Sequence, residues 1–314
     1  MKKERVYLIL MYTVKFIWVY NSYFSRKRRL LAVFSYDGYD LCMIFGICTS
    51  MNARSLVDTG IDQAFYSKKI GLQYLELPVD RIMRLDDNRF NKFKEEIKEC
   101  LLPCLSCNNF IDASIRLTGR EYNRTLFENY IKKSLSRIAS IGAKKVVFGS
   151  AKARSIPSYL SAEEGREQVI ERIKYIAGIA EKHEIEIEIE HLNRMECNCI
   201  NTFEESVAIA KMLNRPNVKS IFDNFHFELS GENTDLIRQN ENWIGHIHFA
   251  YTHGRTMPVI DELKKMMPLL SIIRDCSYDN TFSIEAFFPG FEMNNPELKE
   301  SILFMKNFLK KEDV

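Results

Sequence analysis

From Met43 onward, eight short apolar runs alternate with helix-period segments, and this alternation restricts the chain more than any other feature. The strand-like runs lie at 43–48, 73–77, 102–108, 144–149, 184–190, 218–223, 244–249 and 281–286. The helices between them carry start and stop signals. Ser161-Ala-Glu-Glu164 has the form of a capping box ahead of the stripe Val169, Ile173, Ile176 and Ala180. Thr202-Phe-Glu-Glu205 repeats that form before Val207 and Ala210. Gly142 follows Ile138 and Ile141 as a helix stop. Pro296 opens a last helix with Leu298, Ile302, Met305 and Leu309 on one face. Eight βα units over roughly 270 residues predict an α/β fold, a (β/α)8 TIM barrel over 43–314. A doubly wound sheet fits less well, because no glycine-rich phosphate loop follows the first run.

Residues 1–42 stand apart as an N-terminal extension that completes no βα unit. They carry eight Lys/Arg against three Asp/Glu, a net +5. The remaining 36 basic and 39 acidic residues leave the barrel at −3. That balance gives no basic excess of the kind nucleic acid requires, so no nucleic-acid partner is expected. Lys2, Lys3 and Arg5 precede the apolar run Val6 to Tyr20, which Lys15 interrupts and Arg26-Lys27-Arg28-Arg29 follows. The run is short for a membrane span and shows no small-residue cleavage site of a signal peptide. It reads as an appendage, with a weak anchor as the lesser alternative and Met43 as a second candidate start. No membrane partner is expected for the barrel. Eight cysteines at irregular spacings in 314 residues read as reduced thiols rather than a disulfide frame, which predicts a cytoplasmic setting.

Four of the later runs end in a side chain that binds divalent metals: Glu190, Asp223, His248 and Glu285. A parallel barrel gathers the C-terminal ends of its strands on one face, so these residues can converge on one ion. A mostly oxygen donor set suits a hard or borderline cation, Mn²⁺ first with Mg²⁺, Co²⁺ or Zn²⁺ as substitutes, better than a structural zinc. The fifth run alternates Glu and Ile, and a period of two puts Glu184, Glu186, Glu188 and Glu190 on one face. In isolation such a segment is most simply a solvated acidic strand. In a barrel the isoleucines face the helices and the Glu face turns inward, with Glu190 at the top. Glu188 is then buried one layer lower, where an unpaired carboxylate is costly, and His246 is its expected partner.

These segments resemble the sugar phosphate isomerase/epimerase superfamily, whose members have xylose isomerase-like barrels and include ketose 3-epimerases. Glu190-His-Leu-Asn-Arg194-Met-Glu196, with Asn201-Thr202 after it, is similar to that family's EPLNRxE…NT segment. Asp223-Asn-Phe-His226 resembles D-x-[FY]-H, His246-Ile-His248 resembles HxH, and Ser283-Ile-Glu285 resembles a closing SIE. Phe148-Gly-Ser150 with Ala153-Arg154-Ser-Ile-Pro157 resembles a subgroup's loop after strand four. The resemblance spans residues 43–310. It implies that Glu190, Asp223, His248 and Glu285 hold one metal, and that Glu190 and Glu285 form an acid/base pair across the substrate carbon. It also implies that His226 and Arg255 bind substrate oxygens and that Glu196 lies near the sugar's C1 end. Arg255 comes seven residues after His248 rather than the usual six. A small-molecule sugar is the implied partner, and a homodimer or homotetramer the implied assembly.

The chemistry also follows from the residue types. A metal chelated by a ketose carbonyl and a neighbouring oxygen is a Lewis acid that stabilises an enediolate. One carboxylate removes the proton beside the carbonyl, and the other returns one from the opposite face, which is epimerisation. Return to the neighbouring carbon is aldose–ketose isomerisation, and these residues do not separate the two. An inosose-type dehydratase or a non-catalytic sugar-binding barrel are the alternatives. Two opposed carboxylates are more than binding alone needs. A three-zinc apurinic endonuclease is set aside, because all six histidines lie at 183 or later.

Lesser features remain. Cys100, Cys104 and Cys107 have the spacing of a radical iron–sulfur motif, but a strand over 102–108 predicts that Cys104 and Cys107 face opposite ways. Cys197 and Cys199 read as packing residues. Lys152 and Arg154 could meet an anion or line a solvated loop. Glu76 and Asn108, at the ends of strands two and three, are candidate substrate contacts, and His253 reads as a surface residue.

Overall fold

The computed structural model describes residues 43–55, 58–276, 278–288 and 295–310. The extension proposed over 1–42 lies outside the described residues. Eight parallel strands close on themselves in the order β1 to β8. They are β1 (Ile44–Cys48), β2 (Tyr74–Pro78), β3 (Cys104–Asn108), β4 (Lys145–Phe148), β5 (Glu186–Ile189), β6 (Val218–Asp223), β7 (Ile244–Phe249) and β8 (Thr281–Ile284). Closure is made by β1 against β8, with Phe45 opposite Phe282 and Ile47 opposite Ile284.

The local signals act as their chemistry requires. Ser161 accepts from the Glu164 amide while Glu164 accepts from that of Ser161, opening the helix Ala162–Ala180. Thr202 caps Glu205 in the same way, but the Glu205 carboxylate reaches back to the Asn201 amide at 2.6 Å. Gly142 adopts φ +97° just beyond the helix Arg124–Ser140, a left-handed position where a side chain would be strained. Pro296 stands in the first turn of Pro296–Leu309, and Leu298, Ile302, Met305 and Leu309 are all buried. Outward strand residues such as Ile187, Ile189, Phe222 and Phe282 fill the layer between sheet and helices. Among the described residues no helix is long and apolar enough to cross a membrane. The described cysteines are free thiols.

Two bulges alter what simple alternation predicts. Leu75 pairs with Cys104 but Glu76 with Ser106, so Leu105 is an extra residue in β3. The parity of β3 changes there, and the Cys104 and Cys107 sulfurs lie 3.7 Å apart instead of facing opposite ways. Likewise Ser220 pairs with Ile244 but Ile221 with His246, which makes Gly245 the extra residue of β7. Strand five is also shorter than expected. Glu184 precedes it at φ +55°, exposed beside Lys144 at 3.4 Å, and does not share the inward face of Glu188.

Candidate active site

The barrel interior is polar over most of its height, unlike the branched aliphatic filling common in such barrels. Lowest lies Lys145, the first residue of β4. Its ammonium donates to Glu188 Oε1 at 3.1 Å, to the Gly245 carbonyl at 2.8 Å, and to Glu186. Glu188 therefore does not pair with His246. The Gly245 bulge explains the difference: a Cβ there would sit 2.4 Å from Glu188, so the carboxylate occupies the space of a missing side chain below His246. Burial and the neighbouring Glu186 push the Glu188 carboxyl well above the usual range despite Lys145. Lys145 was not singled out from sequence. The available signal was its place on the same β4 face as Val147 and Gly149, the face that turns inward.

One layer higher, Glu76 is buried and bridges two histidines. Oε2 lies 2.7 Å from His246 Nε2 and accepts from Ser283 Oγ at 2.6 Å, while Oε1 lies 2.8 Å from His248 Nε2. This replaces the expected substrate contact, because Glu76 is sealed beneath the mouth. Asn108 is likewise buried, with its amide on Ser50 Oγ at 3.2 Å. Arg154 is fully buried too, donating to the Phe148 carbonyl at 2.9 Å, so it is a loop brace rather than an anion contact. Lys152 and His253 are exposed.

At the top, Glu190, Asp223, His248 and Glu285 are all buried, and each offers a ligand atom within 4.8 Å of the others. They stand at the ends of β5, β6, β7 and β8. Gly149 makes room for the first, since a Cβ there would fall 2.0 Å from Glu190 Oε2. Asp223 divides its labour: Oδ1 caps the His226 amide at 3.1 Å, and Oδ2 has no hydrogen-bond partner. His248 Nδ1 is also without one, facing Glu285 at 2.9 Å, Glu190 at 3.4 Å and Asp223 at 3.7 Å. Two orphaned buried atoms aimed into a cluster of carboxylates fit a divalent cation, and an O₃N donor set suits Mn²⁺ or Mg²⁺.

The remaining expected residues surround this cluster. His226 Nδ1 accepts the Asn193 amide at 3.2 Å, which places its hydrogen on Nε2, an atom 4.0 Å from Asp223 with no partner of its own. Arg255 is ion-paired with Glu285 at 2.5 Å, stacks on Phe225 at 4.6 Å, and adopts φ +50°. Glu196, more exposed, accepts from Asn193 Nδ2 at 3.0 Å and lies 3.9 Å from Arg255. Asn201 pins the loop that carries it through the Leu192 and Cys197 carbonyls, both at 2.7 Å. The two buried glutamates differ electrostatically. Burial and the adjacent Glu285 and Asp223 raise the Glu190 carboxyl, whereas Arg255 and His248 overcome burial and lower that of Glu285.

A family model described as xylose isomerase-like TIM barrel matches residues 66–308. The chain is 24% identical over 238 residues to the inosose isomerase of Bacillus licheniformis, covering 72% of this chain and 83% of that one. It is 28% identical over 180 residues to the D-psicose 3-epimerase of Agrobacterium fabrum, 56% of this chain and 58% of that protein. The solved D-psicose 3-epimerase of Clostridium cellulolyticum, determined with D-tagatose, gives a TM-score of 0.71 at 18% identity, over 86% of this chain and 100% of that one. At that identity the likeness concerns the fold alone.

Proposed function

This chain belongs to the xylose isomerase-like TIM barrel family, and from that premise we propose that it is a divalent-metal-dependent isomerase or epimerase of a small sugar or ketose. One observation carries the reading: Glu190, Asp223, His248 and Glu285, from four successive strands, bring ligand atoms within 4.8 Å of one another, and Asp223 Oδ2 and His248 Nδ1 are buried without hydrogen-bond partners. Two carboxylates in one such cluster, Glu190 and Glu285, suit one acid and one base. Glu190, Asp223, His248 and Glu285 would hold the cation, with Mn²⁺ the expected occupant. When bound, the cation supplies Lewis acidity at the substrate carbonyl.

The chain's own residues do the rest. Glu285, held ionised beside Arg255, takes a proton from the carbon next to the carbonyl. Glu190 delivers one to the other face. Delivery to the same carbon inverts it, and delivery to its neighbour moves the carbonyl. His226 directs its Nε2 hydrogen to a substrate oxygen, with Asn193 fixing the tautomer. Arg255 and Glu196 hold the hydroxyls farther along the sugar. The names of the relatives, an inosose isomerase and a D-psicose 3-epimerase, support the same class of chemistry.

The test is solvent exchange. Metal analysis of the purified protein should find a divalent ion. Incubation of the Mn²⁺-loaded protein with ketoses in D₂O should place deuterium on the carbon beside the carbonyl. A protein that binds these sugars yet labels none of them is not an isomerase or epimerase of them.

A further inference from the structure

We propose that Glu76 is the positioning residue that turns the Nδ1 lone pair of His248 toward Glu190, Asp223 and Glu285. The inference rests on the metal reading above and adds a residue that touches neither cation nor substrate. It follows from counting hydrogens around one carboxylate. Ser283 Oγ lies 2.7 Å from Tyr74 OH and 2.6 Å from Glu76 Oε2. Tyr74 can satisfy Ser283, which leaves the serine hydrogen for Glu76. His246 Nδ1 lies 2.7 Å from Thr281 Oγ1, a hydroxyl that can donate to it, and its Nε2 lies 2.7 Å from Glu76. The Thr281 carbonyl also lies 3.0 Å from Nδ1, so His246 either accepts there from the hydroxyl or donates to the carbonyl, and against an ionised Glu76 its Nε2 at 2.7 Å is a donor in both cases. The third approach is His248 Nε2 at 2.8 Å.

An ionised carboxylate only accepts, and it accepts all three. His248 must then carry its hydrogen on Nε2, and a neutral imidazole with hydrogen there exposes a lone pair at Nδ1. A carboxylate behind a ligating histidine fixes the ring and raises its basicity. Cys48 Sγ approaches the same Nε2 at 3.5 Å, well outside the 2.8 Å of Glu76 Oε1. With three donors already on Glu76, this edge of His248 is a hydrogen-bonding edge, not a second cation site. The architecture makes room for the arrangement. Gly46 lets the Tyr74 ring cross the barrel, since a Cβ there would meet the ring at 2.4 Å.

A purely structural Glu76 would stabilise the barrel core without steering His248. The isosteric Glu76→Gln separates the two roles, because a neutral amide fills the same space but does not raise the basicity of His248 as a carboxylate does. Titration calorimetry of metal-free protein with Mn²⁺ should show affinity reduced about 10- to 100-fold in Glu76→Gln. Ser283→Ala, which removes a donor to the same carboxylate but leaves His248 alone, should bind Mn²⁺ close to wild type. In ¹⁵N-histidine spectra of the Zn²⁺-loaded wild type, His248 should bear metal on Nδ1 and a strongly deshielded hydrogen on Nε2. Unchanged Mn²⁺ affinity in Glu76→Gln, or metal on Nε2 in the wild type, overturns the inference. The wild-type spectrum decides if the variant does not fold. If the wild type binds no divalent ion, the metal reading fails instead. The carboxylate-shifted Nε2 hydrogen of His248 in the metal-free protein then still reports on Glu76.

Discussion

Two clusters of buried carboxylates sit in one barrel, and they balance their charge differently. The lower one, Glu186 and Glu188, encloses its own cation in Lys145, and burial with the neighbouring Glu186 raises the Glu188 carboxyl. Its charge is settled within the chain. The upper one gathers Glu190, Asp223 and Glu285 around His248, with Glu76 behind, and among the described residues has only the Arg255 guanidinium at its rim. The contrast teaches that burial of acidic groups is not by itself the mark of a metal site. The mark is a shortage of positive charge together with donor atoms left unpaired, here Asp223 Oδ2 and His248 Nδ1.

The sharpest way to break this contrast is at the upper cluster. Glu285→Gln should lower solvent exchange into a ketose substrate by about 10²- to 10⁴-fold, the usual contribution of a general acid or base. Exchange at the wild-type rate would remove Glu285 from the proton path. At the lower cluster, Lys145→Met leaves two buried carboxylates without their counter-ion. It should cost about 3 kcal/mol in urea unfolding, the lower end for an uncompensated buried charge because Glu186 is partly exposed. The same variant should keep Mn²⁺ affinity near wild type by calorimetry. A large loss of affinity would show that the two clusters are one.

pH sharpens the comparison further. Burial disfavours charge on His248, but Cys48 first, then Glu285, Glu76 and Asp223, outweigh it and hold its pKa well above the ordinary value. That direction predicts that in the metal-free protein a proton stands in for the cation. A group raised in this way adds stability that is fully present below about pH 6.5 and is lost as pH rises through the folded value. Binding must expel that proton, so apparent Mn²⁺ affinity should fall by about tenfold per pH unit below the folded pKa. Affinity flat from pH 8 to 6 would mean that His248 carries no proton there. The smallest effect belongs to the exposed loop. Lys152→Ala should change stability by less than about 0.5 kcal/mol, and it should leave solvent exchange intact. A large rise in KM would show that the loop meets the substrate after all.

The sequence discloses these two clusters unequally. Glu190, Asp223, His248 and Glu285 are legible because each closes a run whose end a parallel barrel must place at one face. Convergence there depends on strand order alone. Deeper pairings depend on height within the barrel, and height is set by bulges that alternation does not reveal. Gly245 lowers the space available to Glu188, so its partner is Lys145 from the neighbouring strand rather than His246. His246 in turn meets Glu76 from across the barrel. Leu105 reverses the parity of β3, which brings Cys104 and Cys107 together. Arg154 looks like a free cation in the sequence, and only the folded loop shows its guanidinium spent on backbone carbonyls.

The four residues proposed as ligands stand on or beside strands of a closed hydrogen-bonded ladder, not on loops that an ion would have to organise. On the proposed metal reading, the cage is thus built before its occupant arrives. Chelators should strip the ion without unfolding the chain, and different ions should be interchangeable by simple dialysis. The cell's free metal pool would then help decide which ion the protein uses.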